Sequence, residues 1–207
     1  SGSGGPAAII GMPDRASPPE AAFANATMGH GLVREAMHPG SNSHLGVVVW
    51  PCLLALAGRA PLHGRDLLAA AMAGYEVGAR IGRTLFDAEL ARRFRPTGVT
   101  GTIGAAAAGA RLLGLDRTGV TTSMALAANM AAGLNNWPWE GSTEVFFHAG
   151  VAARNAVTAA LLAQAGAYGS PSALDGPGGL YDAHQRRERA KALMVARDAP
   201  FALQEIY

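Results

Sequence analysis

"PTGVTGTIGAAAAGARLLG", residues 96–114, is the stretch whose reading decides the fold. It is built mostly from Gly, Ala and Thr, and side chains this small let helix backbones approach closely. Thr97 is placed to cap a helix over Gly98–Leu113, and Gly114 to close it. The Gly-rich part is not a phosphate loop, because no strand precedes it and no Lys-Ser/Thr follows. Close packing between helices is therefore expected, rather than a sheet.

Working outward, the same cap and periodicity signals recur. Ser17-Pro18-Pro19-Glu20 opens a helix to about Leu32. His38–Asn42 reads as loop, Gly46–Gly58 as a buried apolar helix, Asp66–Leu85 as a long helix and Asp87–Phe94 as a short one. A further helix starts at Arg117 or Thr118 and runs to about Gly133. Asn135–Ser142 reads as loop and His148–Ala165 as helix, ended by Gly166. A short turn follows Ser170-Pro171, and Tyr181–Val195 reads as a charged, partly exposed helix. No alternating run of Val, Ile or aromatic residues suggests a strand. The expectation is one all-α, multi-helix domain over residues 1–207.

Composition narrows the function classes. Hydrophobic residues make up 49% and charged residues 15%, so a substantial core can be buried. A formal charge of +2 with 17 Lys+Arg gives no basic stripe, which speaks against a nucleic-acid partner. Gly46–Ala57 is too short to span a membrane, and Gly98–Leu115 is Ala/Gly-rich and carries Arg111, so no membrane association is expected. No segment has the order of a signal peptide. The single cysteine, Cys52, cannot form an internal disulfide, and a cytoplasmic location fits.

Residues 21–46, "AAFANATMGHGLVREAMHPGSNSHLG", hold His30, His38 and His44. The spacing matches no metal-ligand pattern and only Glu35 stands beside them, so no metal is expected. Loop histidines can do acid–base work or can simply bond the nearby backbone. His44 is the better functional candidate because it abuts the apolar helix from Gly46, and His38 stays open. In "RRFRPTG", residues 92–98, Arg95 lies beside a helix N-terminus and could receive a carboxylate or phosphate, whereas Arg92 and Arg93 suit a solvated helix end. In "GSTEVFFHAG", residues 141–150, Ser142 or Thr143 could cap a helix with His148 in its first turns. Trp137 and Trp139 flank Pro138 and could line a pocket or form an apolar lid.

Taken in order, "AAFANATMGHGL", "DLLAAAMAGYEVGARIG", "FRPTGVTGTIGAAAAGARLLGLD" and "GSTEVFFHAGVAARNAVTAALLAQAG" resemble the MmgE/PrpD family. That family includes 2-methylcitrate dehydratases and cis-aconitate decarboxylases. The resemblance implies the family's helical domain without its smaller α+β lid domain, which would begin near Tyr207, and without its first helices. It also implies chemistry needing no metal or other cofactor. The family pattern His-x-Leu-Asp-Phe-Asp-Asp-Thr stands here as His30–Met37, which puts Val33 at the catalytically implicated aspartate and Met37 at the threonine. His44 matches a retained functional histidine. Phe-His-Pro-Thr-Gly stands as Phe94–Gly98, so Arg95 replaces a histidine. Thr-Lys-x-x-His stands as Glu144–His148, so Val145 replaces the lysine.

The resulting expectation is a lyase-like or isomerase-like enzyme for a small carboxylic acid. His44, Glu35 and Glu144 would be its proton-transfer groups, while Arg95, Thr97, His38 and His148 would contact the substrate. His30 is expected to be structural. The alternatives are a catalytically degenerate subunit that stabilises an active partner, and a natural-product enzyme using the pocket for shape. Apolar helix faces left without a lid lead to the expectation of a homo-oligomer, or of a complex with a chain that supplies the lid.

Overall fold

The computed structural model describes residues 4–58, 62–194 and 199–206. Its helices are α1 (Pro18–His30), α2 (Gly46–Ala57), α3 (Gly64–Leu85), α4 (Ala88–Arg93), α5 (Pro96–Leu112), α6 (Arg117–Met130), α7 (Trp137–Glu140), α8 (Glu144–Gln164) and α9 (Leu180–Ala183). Short 3-10 segments lie at Pro39–Ser41, Arg187–Leu193 and Ala202–Glu205. The all-α expectation holds. Strand content among the described residues is one antiparallel pair of two-residue strands, β1 (Ala7–Ala8) and β2 (Arg15–Ala16). Asn25 of α1 holds this hairpin, accepting from Ile10 N at 2.8 Å and donating to Ala8 O at 3.0 Å.

Helix α5 is the axis of the core. Every residue from Pro96 to Ala110 is buried, and α2, α3, α6 and α8 pack around it. The small-residue sequence makes this possible. A Cβ on Gly104 would lie 2.5 Å from Gly74 O of α3, so the two backbones touch where a side chain would have stood between them. Asp87 and Asp116 cap α4 and α6, accepting from Leu90 N at 2.9 Å and Gly119 N at 2.8 Å. Gly114 and Gly166 follow α5 and α8 with positive φ, as helix-ending glycines do.

Several boundaries differ from the sequence reading. Helix α1 ends at His30, and Ser17 precedes it without a side-chain cap bond. Arg95, not Thr97, holds the cap position of α5, and Thr97 lies within its first turn because Pro96 already starts the helix. Trp137–Glu140 forms one helical turn inside the expected loop. Helix α8 starts at Glu144, placing His148 one turn inside. The expected helix from Tyr181 breaks at Gln185, whose φ is 57°, and Tyr181 is buried rather than exposed. Its far end, Val195, lies outside the described residues. Helix α8 is also long and apolar enough to cross a membrane by length and composition, which the reading of apolar runs overlooked. It packs here against α1, α2, α5 and α6.

Candidate active site

Four segments converge on one group of polar side chains. His30 ends α1 and Glu35 follows in the next loop. His44 sits just before α2, Arg95 caps α5, and His148 lies in α8. Two backbone ties hold them in place. His44 N donates to Thr97 Oγ1 at 3.1 Å, and Arg95 N donates to Gly133 O at 2.9 Å. Gly133 has φ of 137°, a backbone conformation that L side chains rarely adopt, and a Cβ there would crowd Arg95 Cβ at 3.1 Å and touch the His148 ring at 3.6 Å. The linker after α6 takes this path beside the two side chains with glycine at the left-handed position.

Glu35 is the hub. Its Oε1 accepts from His30 Nδ1 and lies 3.5 Å from His44 Nδ1. The His30 and His44 rings meet edge-on with centroids 5.4 Å apart. Arg95 Nη2 donates to His30 Nε2 at 3.2 Å. Burial is the main cause holding His30, His44 and His148 below the ordinary histidine value, and Arg95 adds to it for all three. Glu35 opposes the shift at His30 and His44 without overcoming it. The three rings are therefore neutral at pH 7, beside one carboxylate and one guanidinium.

Four atoms of this group are buried without a hydrogen-bond partner: Glu35 Oε2, His44 Nδ1, Arg95 Nε and His148 Nδ1. A buried polar group left unpaired costs about 1–3 kcal/mol. Their concentration in one place offers an acceptor, a fixed donor and two tautomer-dependent nitrogens to a polar guest. Among the described residues, no three His, Cys, Asp or Glu side chains converge as metal ligands. His30 Nε2 also faces a guanidinium, which repels a cation.

The remaining candidates are placed as follows. His38 is fully buried and both of its ring nitrogens are used by the fold. Nδ1 accepts from Ser41 N at 3.0 Å and Nε2 donates to Ala202 O at 3.0 Å. The residue expected to contact substrate thus ties its own loop to the C-terminal 3-10 segment. Thr97 is also fully buried, and its hydroxyl oxygen accepts from His44 N, tying the first turn of α5 to the loop that carries His44. Glu144 stands at the start of α8, where the Ser142 side chain holds its carboxyl below the usual carboxylate range. Glu35, in contact with two histidines, is the better placed carboxylate. His30, expected to be structural, joins the group. Its signal in the sequence was Glu35 five residues on, but nothing local announces Arg95. Val145 is buried, and Val33 has φ of 49°. Two cavities of ≈ 300 and ≈ 310 Å³ lie elsewhere, on either side of His184.

The profile of the MmgE/PrpD N-terminal domain matches residues 1–192. This chain belongs to the MmgE/PrpD family. Its similarity extends to the cis-aconitate decarboxylase-like protein oryM of Aspergillus oryzae, 32% identical over 175 residues, which are 81% of this chain and 36% of that protein. Human cis-aconitate decarboxylase is 35% identical over 175 residues, 81% of this chain and 35% of that enzyme. The Aspergillus terreus enzyme is 28% identical over 165 residues, 76% of this chain and 33% of its own length. The chain thus spans about a third of the length of these MmgE/PrpD relatives. The human and Aspergillus terreus proteins are named as decarboxylases of cis-aconitate, a small carboxylic acid, and the Aspergillus oryzae protein as similar to them.

Proposed function

We propose that this chain forms the helical part of a lyase-like or isomerase-like enzyme that moves protons on a small carboxylic acid without calling on a metal. The observation that carries the reading is the set of unpaired buried atoms on Glu35, His44, Arg95 and His148. Arg95 Nε–H would take a substrate carboxylate oxygen. His44, neutral at pH 7, would act as general base toward a carbon or hydroxyl proton. Glu35 would stabilise the imidazolium that forms, and His148 would contact the substrate. In an isomerisation the proton taken by His44 returns to a neighbouring carbon. In a decarboxylation the bond to the carboxylate breaks, its electron pair stays on the carbon, CO2 leaves, and a proton drawn from solvent through His44 completes that carbon.

One guanidinium offset by Glu35, with Val145 in place of a lysine, favours a substrate with fewer carboxylates or a larger apolar part than the family's tricarboxylates. The full-length protein should be incubated with a panel of mono-, di- and tricarboxylic acids, cis-aconitate included, and followed by proton NMR. Turnover that depends on both His44 and Arg95 supports the reading, and no turnover of any member sinks it.

A second reading is a catalytically degenerate subunit. It is favoured by Val33, Met37 and Val145, none of which can move a proton or carry charge. It also draws on exposed apolar side chains near the site in sequence: Met28, Leu32, Trp139, Phe147 and Val151. Sedimentation of the purified protein, with mass measurement of any co-purifying chain, distinguishes a self-sufficient oligomer from a supporting subunit.

A further inference from the structure

His30 and His38 are both fully buried, but their principal partners differ. His38 bonds the backbone at Ser41 N and Ala202 O, with the Ser41 hydroxyl at 2.9 Å and the half-exposed Glu205 carboxylate at 3.6 Å beside it. His30 bonds two charged side chains, Glu35 and Arg95, the same two groups that the acid–base reading gives to proton transfer and carboxylate binding. Donor logic fixes its state. A guanidinium can only donate, so His30 Nε2 must accept from Arg95 and the ring proton must sit on Nδ1, donated to Glu35.

We propose that His30 is a positioning residue of this site: a neutral Nδ1–H imidazole that bridges Glu35 to Arg95, holding Glu35 beside His44 and leaving Arg95 Nε for the substrate. This rests on the acid–base reading of the same cluster. The groups facing His30 are Glu35 from the loop after α1, His44 from the loop before α2, Arg95 from α5 and His148 from α8. The bridge exists only while the ring is neutral. A proton on Nε2 would face the Arg95 guanidinium at 3.2 Å and break that bond, so acid should free Arg95 and weaken carboxylate binding.

The two halves of the bridge can be removed separately. His30→Asn keeps a donor near the Nδ1 position but loses the acceptor for Arg95. His30→Gln keeps an acceptor near the Nε2 position but loses the donor to Glu35. In the full-length protein, His30→Asn should raise KM by about tenfold, more than it lowers kcat. His30→Gln should lower kcat more than it raises KM, and should move the acid limb of the kcat–pH profile. If both variants change KM and kcat alike with the pH limb unmoved, the proposal is overturned. Histidine-ring nitrogen NMR on the unmutated protein reads the bridge without any variant. A neutral Nδ1–H His30 at pH 7, perturbed on titration with succinate, supports it, and an Nε2–H or cationic ring overturns it. Should no carboxylic acid turn over while NMR finds the Nδ1–H ring responding to succinate, the lyase reading fails and the bridge stands.

Discussion

Thr97 Oγ1 accepts a hydrogen bond from His44 N at 3.1 Å, joining the first turn of the most buried helix to the backbone of the proposed base. Thr97→Val keeps the shape and removes the acceptor. The stranded N–H should cost about 1–3 kcal/mol in urea unfolding. With His44 released, kcat should fall more than KM rises. Thr97→Ser should restore both, and failure of that rescue would show the contact to be incidental.

Arg95 and His44 should fail differently. A charge-assisted bond is worth about 1.5–3 kcal/mol, so Arg95→Ala should weaken carboxylate binding about ten- to a hundredfold, read by calorimetry. It also leaves Glu35 without its cation, so Arg95→Lys is the companion that keeps the charge and loses the planar fork. His44→Ala should lower turnover by about two to four decades with binding less affected. Full turnover by His44→Ala would remove the acid–base reading.

Acid should destabilise the fold. Burial holds His30, His38, His44 and His148 below their unfolded value of 6.5. Below that value the unfolded chain takes up protons that the folded chain refuses, so stability falls with pH. The loss begins as pH drops through about 6.5 and ends only below the depressed folded values. Calorimetry should find Tm lower at pH 5.5 than at pH 7.5, and an unchanged or higher Tm would contradict the neutral-histidine cluster.

Gly104→Ala should be poorly tolerated. Its new methyl would lie 2.5 Å from Gly74 O, a backbone atom that cannot rotate away. Overpacking of this kind costs about 1–3 kcal/mol or more. A urea midpoint equal to that of the unmutated protein would show that α3 and α5 can separate freely.

Val33 pays for a left-handed backbone that a β-branched residue rarely adopts, at φ 49°. Aspartate tolerates that region better, so Val33→Asp should raise stability by about 1 kcal/mol while restoring the family's carboxylate. Dehydratase-like activity should not return with it, because Val145 still stands where the family has lysine. A lower Tm for Val33→Asp would show that Val33 is held by packing.

The helices were legible because their signals are local. Asp87 and Asp116 bond amides three residues on, Gly114 and Gly166 stop helices by their own backbone freedom, and the Gly/Ala run of α5 states how close its neighbours can come. The pattern from Tyr181 suits a charged, partly exposed helix, and one left-handed residue, Gln185, breaks it. The histidines show the boundary most clearly. His30 and His38 stand eight positions apart, one at the end of a helix and one opening a loop, and neither names its partner locally. Arg95 completes His30 from 65 residues away, and Ala202 completes His38 from 164. A hydrogen bond forms between groups that are near in space, and the chain's local pattern carries no information about partners that distant. Sequence alone determined that acid–base groups were present in a packed helical domain. Tertiary structure decided which of them share one buried, low-dielectric place and so shift one another's protonation.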